Sequence, residues 1–93
     1  MMKTFKCKET ENIFRREYSR KLPYNIQKVA LRKLRMIDRS ETLNDLKIPP
    51  ANMLEKLSGN RKGQHSIRIN DQWRICFHWT DSSAMEVEIV DYH

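Results

Sequence analysis

Between Leu57 and Trp79 the chain runs LSGNRKGQHSIRINDQWRICFHW, and two stretches of it alternate with a period of two: Ser66-Ile67-Arg68-Ile69 and Trp73-Arg74-Ile75-Cys76-Phe77-His78-Trp79. Asn70-Asp71-Gln72 between them is short and rich in turn formers. Alternating β-branched and aromatic residues around such a loop predict an antiparallel hairpin. One face of its second strand carries Trp73, Ile75, Phe77 and Trp79, enough apolar bulk to form the main wall of a core. The other face carries Arg74, Cys76 and His78. Arg74 therefore stands on a rigid strand between two large anchors, where a preorganised cation is expected. An apolar wall of this size must be covered, and the remaining residues have to supply the cover.

The best cover lies at Asn25–Asp38. Ile26, Val29, Ala30, Leu34 and Ile37 fall at i, i+3, i+4, i+8 and i+11, one face of a helix. Lys28, Arg32, Arg35 and Arg39 fall at i, i+4, i+7 and i+11 on the opposite face, with no carboxylate built into the stripe. Like charges at i,i+4 cost a helix a few tenths of a kcal/mol, about 0.2–0.5 per pair, so an unpaired stripe suggests a use in contacting phosphates. The alternative is a solvated face.

Around these two units, residues 2–7 (MKTFKC) alternate apolar and cationic residues and predict a short first strand. Glu9–Tyr18 shows a short helical pattern through Ile13, Phe14 and Tyr18, with Glu9 or Thr10 near its start. Pro23 suits the first turn of the next helix. Ser40–Met53 is expected to be an irregular linker, pinned by Leu43, Leu46 and Ile48, with one turn capped from Ser40-Glu41-Thr42 and a stop at Pro49-Pro50. Leu54–Leu57 predicts an edge strand before a Ser58-Gly59-Asn60 turn, and Met85–Val90 a last strand with Glu86 and Glu88 facing out. The fold class is α+β: two N-terminal helices packed on an antiparallel-dominated sheet of about four to five strands.

Ninety-three residues make one domain, 1–93, burying roughly two-thirds of the surface its unfolded chain exposes. A hydrophobic content of 39% spread along the chain argues against disorder. No apolar run reaches the ~18 residues of a membrane span, and no leader is expected from Met1–Lys6, so a cytoplasmic protein with no membrane partner is predicted. Cys7 and Cys76 lack motif spacing and are expected to be reduced, buried thiols. The net charge of +6 is unevenly placed: residues 1–39 hold 12 Lys/Arg against 4 Asp/Glu, residues 40–93 hold 6 against 8. A basic half beside a nearly neutral one is an electrostatic footprint for a polyanion, most plausibly nucleic acid.

Three features are unusual for a purely structural domain: Glu55 amid alternation beside the hairpin, Arg74 projecting from it, and Asp91-Tyr92-His93 in the last three positions. Each alone is ordinary. There is no P-loop, CxxC or HExxH, and three dispersed histidines argue against a zinc site, so no metal or cofactor is expected. Together the three match RNA cleavage through the 2′-hydroxyl, which needs a base, a cation for the phosphorane charge and an acid for the 5′-oxygen. Glu55, Arg74 and His93 supply those types, with Tyr92 as a stacking platform or further proton donor. His65 and His78 are expected to be structural.

Leu57-Ser58-Gly59-Asn60, the block Ser66 to Arg74 and the terminal Asp91-Tyr92-His93 resemble the HigB toxins of the RelE/ParE superfamily, and the resemblance spans nearly all 93 residues. It implies a compact RelE fold, a ribosome-dependent mRNA endonuclease cutting in the decoding site, and neutralisation by a helix-turn-helix antitoxin similar to HigA. Operator DNA would be reached only through that antitoxin. Arg74 matches the family's phosphate-stabilising arginine, and Asp91, Tyr92 and His93 match its C-terminal active-site residues. There are two departures. A position often held by histidine is Glu55, resembling the glutamate base of the YoeB branch, and a usual lysine is Ser58. Fewer cations predict slower turnover, with Arg61, Lys62 or Arg68 compensating in part.

Two other functions compete. One is a non-catalytic poison, as in the gyrase-inhibiting ParE branch; the other is a basic module binding ribosomal RNA or ribosome-assembly intermediates. Neither needs a base, a cation and an acid converging on one cleft.

Overall fold

The alternation in Ser66–Ile69 and Trp73–Trp79 forms the hairpin it predicts, at the centre of a meander of antiparallel strands. A computed structural model describes residues 1–92. Among these are helices α1 (Lys8–Phe14), α2 (Tyr24–Arg39) and α3 (Leu43–Lys47), and strands β1 (Glu55–Lys56), β2 (Gln64–Arg68), β3 (Trp73–Thr80) and β4 (Ser83–Asp91). Single 3-10 turns lie at Pro50–Asn52 and Gly59–Arg61. The strand order is β1-β2-β3-β4, all antiparallel. In the β2–β3 turn the Asn70 side chain accepts from the backbone N–H of Gln72 and Trp73 at 2.9 and 2.8 Å, the local bonding that makes asparagine a turn former. Register follows: Ile67 faces Ile75 and Arg68 faces Arg74.

Ile26, Ala30, Leu34 and Ile37 of α2 are buried with Ile67, Ile75, Phe77, Val87 and Ile89 of the sheet, and Trp73 and Trp79 pack half-buried at the rim. Val29, expected in this face, is only half-buried and borders the cation stripe instead. The second face of β3 is closed too: Cys76 is fully buried and Arg74 is 8% exposed. Burial pushes the Cys76 thiol up, so it stays protonated at neutral pH.

Several boundaries differ from expectation for local reasons. Residues 2–7 touch β4 in parallel only at Met2–Ala84 and Phe5–Val87, not as a continuous strand. A bulge in β4 separates these bridges: the register slips between Cys76 and His78, and Glu86 takes a φ of 50°. The slip also parts the two glutamates: Glu86 is exposed, whereas Glu88 turns to bind Arg61 and Lys6. Helix α1 begins at Lys8, capped by the Cys7 sulfur, because Thr10 is buried and its hydroxyl accepts from the Ile89 N–H. It ends at Phe14, leaving Tyr18 exposed. The linker holds α3, started by a reciprocal Thr42/Asp45 capping box. Leu46 pins it, but Ile48 is 67% exposed and pins nothing.

Phe77→Ala should cost about 3–5 kcal/mol against a domain total of about 5–15. A variant melting within a few degrees of the parent would place Phe77 outside the core. A second expectation concerns His65, whose ring stacks on Phe77 at 6.3 Å and whose buried Nδ1 has no hydrogen-bond partner among the described residues. Burial, then Lys56, holds its pKa below 6.5. The unfolded chain therefore takes this proton first, and stability is lost as the pH falls below that value. Between pH about 7.5 and about 5.5, His65→Leu should show a flatter decline in urea midpoint than the parent. Parallel declines would clear His65 of that role.

Candidate active site

At the end of β3 the Arg74 guanidinium is held from three sides. Nε donates to Ser66 Oγ at 2.7 Å, and one Nη donates to the Met53 carbonyl at 2.6 Å and the Ser66 carbonyl at 3.3 Å. The other Nη turns to Glu55 Oε1 at 3.8 Å. Ser66 is brought here by pairing, since it faces Glu55 of β1 on one side and Cys76 on the other. Met53 is presented by the 3-10 turn at Pro50–Asn52, which it ends in a left-handed conformation with φ 44°. A shallow cavity of about 420 Å³ opens over this edge, lined by Met53, Glu55, Arg68, Asn70, Asp71, Arg74 and Tyr92. Arg74 is fixed and nearly buried there, whereas the Glu55 side chain is half-exposed.

The structure thus joins Glu55, Arg74, Tyr92 and Arg68 in one cleft. Tyr92 is tied in by its backbone N–H, which donates to the Gln72 carbonyl at 2.7 Å. Asp91 does not line the cleft: it pairs with Trp73 and so projects on the opposite side from Arg74, where its carboxylate accepts from Gln72 Nε2 at 3.0 Å. His93 lies outside the described residues. Arg61 is drawn away to Glu88 at 3.0 Å, and that hydrogen bond raises its pKa further. Lys62 is exposed on the loop before β2 and is not among the cleft residues. Arg68 pairs with the almost fully exposed Asp71 within the cleft. Lys28, Arg32, Arg35 and Arg39 line a separate groove along α2. Among the described residues no group of three or more His, Cys, Asp or Glu side chains is placed to hold a metal ion.

Sequence reasoning missed the support beneath Arg74. Lys33 is 5% exposed, and its ammonium donates to Asn52 Oδ1 at 2.5 Å. Asn52 is fully buried; its amide donates to the Leu46 carbonyl at 3.0 Å and to the Met36 sulfur at 3.1 Å. A short chain of contacts therefore runs from Lys33 through Asn52 to Met53 and its carbonyl on Arg74. The signal was present: Ile26, Ala30, Lys33 and Ile37 are spaced i, i+4, i+7, i+11, so Lys33 belongs to the apolar face and not to the stripe. Burial, then the nearby charges of Arg32 and Arg68, lowers its pKa from 10.5.

The whole chain is similar to known proteins. Residues 3–93 match the sequence model of the RelE-like toxin of type II toxin–antitoxin system HigB. Toxin HigB-1 of Vibrio cholerae is 40% identical over 82 residues, covering 87% of this chain and 86% of that protein. The chain belongs to the HigB-like toxin family. A more distant relative, Endoribonuclease HigB of Proteus vulgaris, is 28% identical over the full length of both chains. The YoeB–YefM complex of Staphylococcus aureus contains a chain with the same fold, at a TM-score of 0.61 and 22% identity, over all of this chain and 98% of that one. In this HigB-like chain Ser58 is exposed just before the Gly59–Arg61 turn, so the cleft gains no cation there.

Removing the Asn52 side chain should expose what Lys33 requires. Asn52→Leu leaves a buried ammonium unpaired, a loss of about 3–5 kcal/mol. The stranded lysine's pKa falls further below 10.5, so the unfolded chain binds the extra proton and the deficit shrinks as the pH rises toward that value. Urea titrations at neutral and alkaline pH check this; a deficit independent of pH would mean Lys33 finds another partner.

Proposed function

We propose that this HigB-like toxin is an endoribonuclease that cuts mRNA in the ribosomal decoding site, arresting translation and growth from the bacterial cytoplasm, with residues 1–93 acting as one toxin domain. The observation that carries the reading is the Arg74 guanidinium, fixed by Ser66 and Met53, with one edge turned toward a half-exposed carboxylate in an open cleft beside Tyr92. Glu55 takes the 2′-hydroxyl proton, and the 2′-oxygen attacks the adjacent phosphorus. Arg74 holds the charge that builds on the phosphorane, and the 5′-oxygen leaves with a proton from His93, giving a 2′,3′-cyclic phosphate and a 5′-hydroxyl. Tyr92 stacks on a base beside the cut or lends a further proton.

The name of the Proteus vulgaris relative supports RNA cleavage. The Lys28, Arg32, Arg35 and Arg39 groove, four cations in one line along α2, supports docking on ribosomal RNA phosphates. The partner that silences the toxin is a HigA-like helix-turn-helix antitoxin, through which alone operator DNA is reached. The YoeB–YefM structure, a toxin with its antitoxin, supports such a pairing.

Expression in a bacterium with mapping of mRNA 5′ ends tests the reading. Arg74→Ala should lose on the order of 10²–10³ in cleavage rate, the effect of deleting one preorganised donor. Because that change also leaves the Met53 carbonyl and Ser66 hydroxyl without a partner, Glu55→Gln is the companion: it keeps shape and removes only the base. Both should cease to cut and to arrest growth while still binding the antitoxin. If the folded variants remain as toxic as the parent, the chain is a non-catalytic poison of gyrase or of the ribosome.

A further inference from the structure

Tyr18 and Tyr24 are 59% and 77% exposed, yet neither is loosely held. Tyr18 lies in the loop between α1 and α2, next to Ser19, which is buried. The Ser19 hydroxyl donates to Glu9, and its backbone N–H donates to Gln27 Oε1 at 3.1 Å. Gln27 Nε2 returns two bonds, to the carbonyls of Ser19 at 2.8 Å and Leu22 at 3.0 Å. The loop is thereby fastened to the first turns of α2, where Tyr24 stands, and the two rings meet at 5.7 Å with a 48° tilt. Two aromatic rings are thus kept in solvent by a fixed frame, when burial would have been the cheaper arrangement.

The rings sit at the head of a track. Their groove includes Ile13, Arg16, Lys28 and Leu31, and it shares Lys28 and Leu31 with the groove that continues through Arg32 and Arg35 to Arg39. Tyr24, Lys28, Arg32, Arg35 and Arg39 follow each other at three- and four-residue steps, about 4.5 and 6 Å along the helix axis. A single file of cations headed by exposed rings is the arrangement that takes a strand of nucleic acid, phosphates on the cations and bases on the rings. An acidic peptide fits less well, because Glu17 stands in the lining of the aromatic end. A second copy of this chain would bring its own Arg16 and Lys28 against the same charges.

We propose that the Tyr18–Tyr24 pair is a base-stacking platform for unpaired RNA, extending the cation groove of α2 beyond phosphate contact. This rests on the reading of that groove as an RNA-binding surface. It is a site apart from the cleft at Arg74, and it would take one or two flipped or single-stranded bases of any identity, since every base offers a face to a ring.

Fluorescence anisotropy at low salt, using a short labelled oligoadenylate and an abasic strand with the same phosphates, separates the two readings. Tyr18→Leu and Tyr24→Leu should each weaken oligoadenylate binding about tenfold while leaving the abasic strand and the salt dependence unchanged, and Tyr24→Phe should bind as the parent does. Lys28→Glu with Arg32→Glu should weaken both strands and flatten the salt dependence. If the tyrosine variants bind oligoadenylate like the parent while the charge reversals weaken it, the platform is overturned and the RNA groove stands. If the tyrosine variants keep oligoadenylate but lose a glutamate-rich amphipathic peptide, the groove is a protein dock and the platform is again overturned. A parent chain that binds neither strand removes the groove and the platform together.

Discussion

A guanidinium 8% exposed on the central strand of a small sheet sets the terms for everything around it. Arginine cannot shed its proton, so burial is tolerable only if its N–H groups are met by acceptors in its own plane. On β3 the acceptors are Ser66, brought opposite by strand register, and the Met53 carbonyl, brought over the edge by a 3-10 turn. The turn in turn needs Asn52 saturated, and Asn52 is saturated by Lys33 from the helix that covers the other face. Helix, turn and hairpin are therefore linked through polar contacts that end at one cation. A group held so firmly needs no reorganisation when negative charge arrives, and that preorganisation makes a fixed arginine more effective than a mobile lysine for the same task.

The parts legible in the sequence were those whose signal is periodic and local. The hairpin followed from alternation in Ser66–Ile69 and Trp73–Trp79, and the cover followed from the spacing of Ile26, Ala30, Leu34 and Ile37. Glu55 and Arg74 could be brought together because β1 and β3 both flank β2 in a simple meander. The misses had non-local causes. Lys33 was hidden by its own residue type: the spacing placed it among apolar residues, but a lysine is expected in water. Asn52 sat behind Pro49-Pro50, where the chain promises irregularity and nothing more. The bulge at Glu86, which breaks the N-terminal pairing and sends Glu88 toward Arg61, depends on how β4 meets two neighbours at once.

The charge distribution acquires a geometry from the same contacts. The excess of cations in residues 1–39 is not a diffuse coat. Four of them line one side of α2, one is buried through the helix, and the buried one feels both Arg32 outside and Arg68 in the cleft. Lys33 thus contributes as a hydrogen-bond donor to Asn52, next to the Met53 turn, and lies near both Arg32 and Arg68. Its pKa is lowered chiefly by burial and further by the like charges of Arg32 and Arg68, both of which oppose the ammonium.

The cations near the cleft can be ranked by how firmly each is engaged. Arg61 is committed to Glu88 and Gln64, with its side chain 30% exposed, and releasing it would leave the partly buried Glu88 carboxylate with only the longer Lys6 pair at 3.8 Å among the described residues. Arg68 lines the cleft itself, and its partner Asp71 is 97% exposed. An ion pair so solvated is worth about 0–1 kcal/mol, little enough for an incoming phosphate to displace the carboxylate. With Ser58 where a lysine is usual, the second positive charge in the cleft is therefore Arg68. It differs from Arg74 in kind: one is fixed by Ser66 and Met53, while the other is held only by an exposed carboxylate, which under the proposed mechanism it would exchange for the phosphate. Such an exchange would cost part of the electrostatic gain, so under the proposed mechanism a site built from one fixed and one recruited cation would stabilise a phosphorane less than a site with two fixed ones.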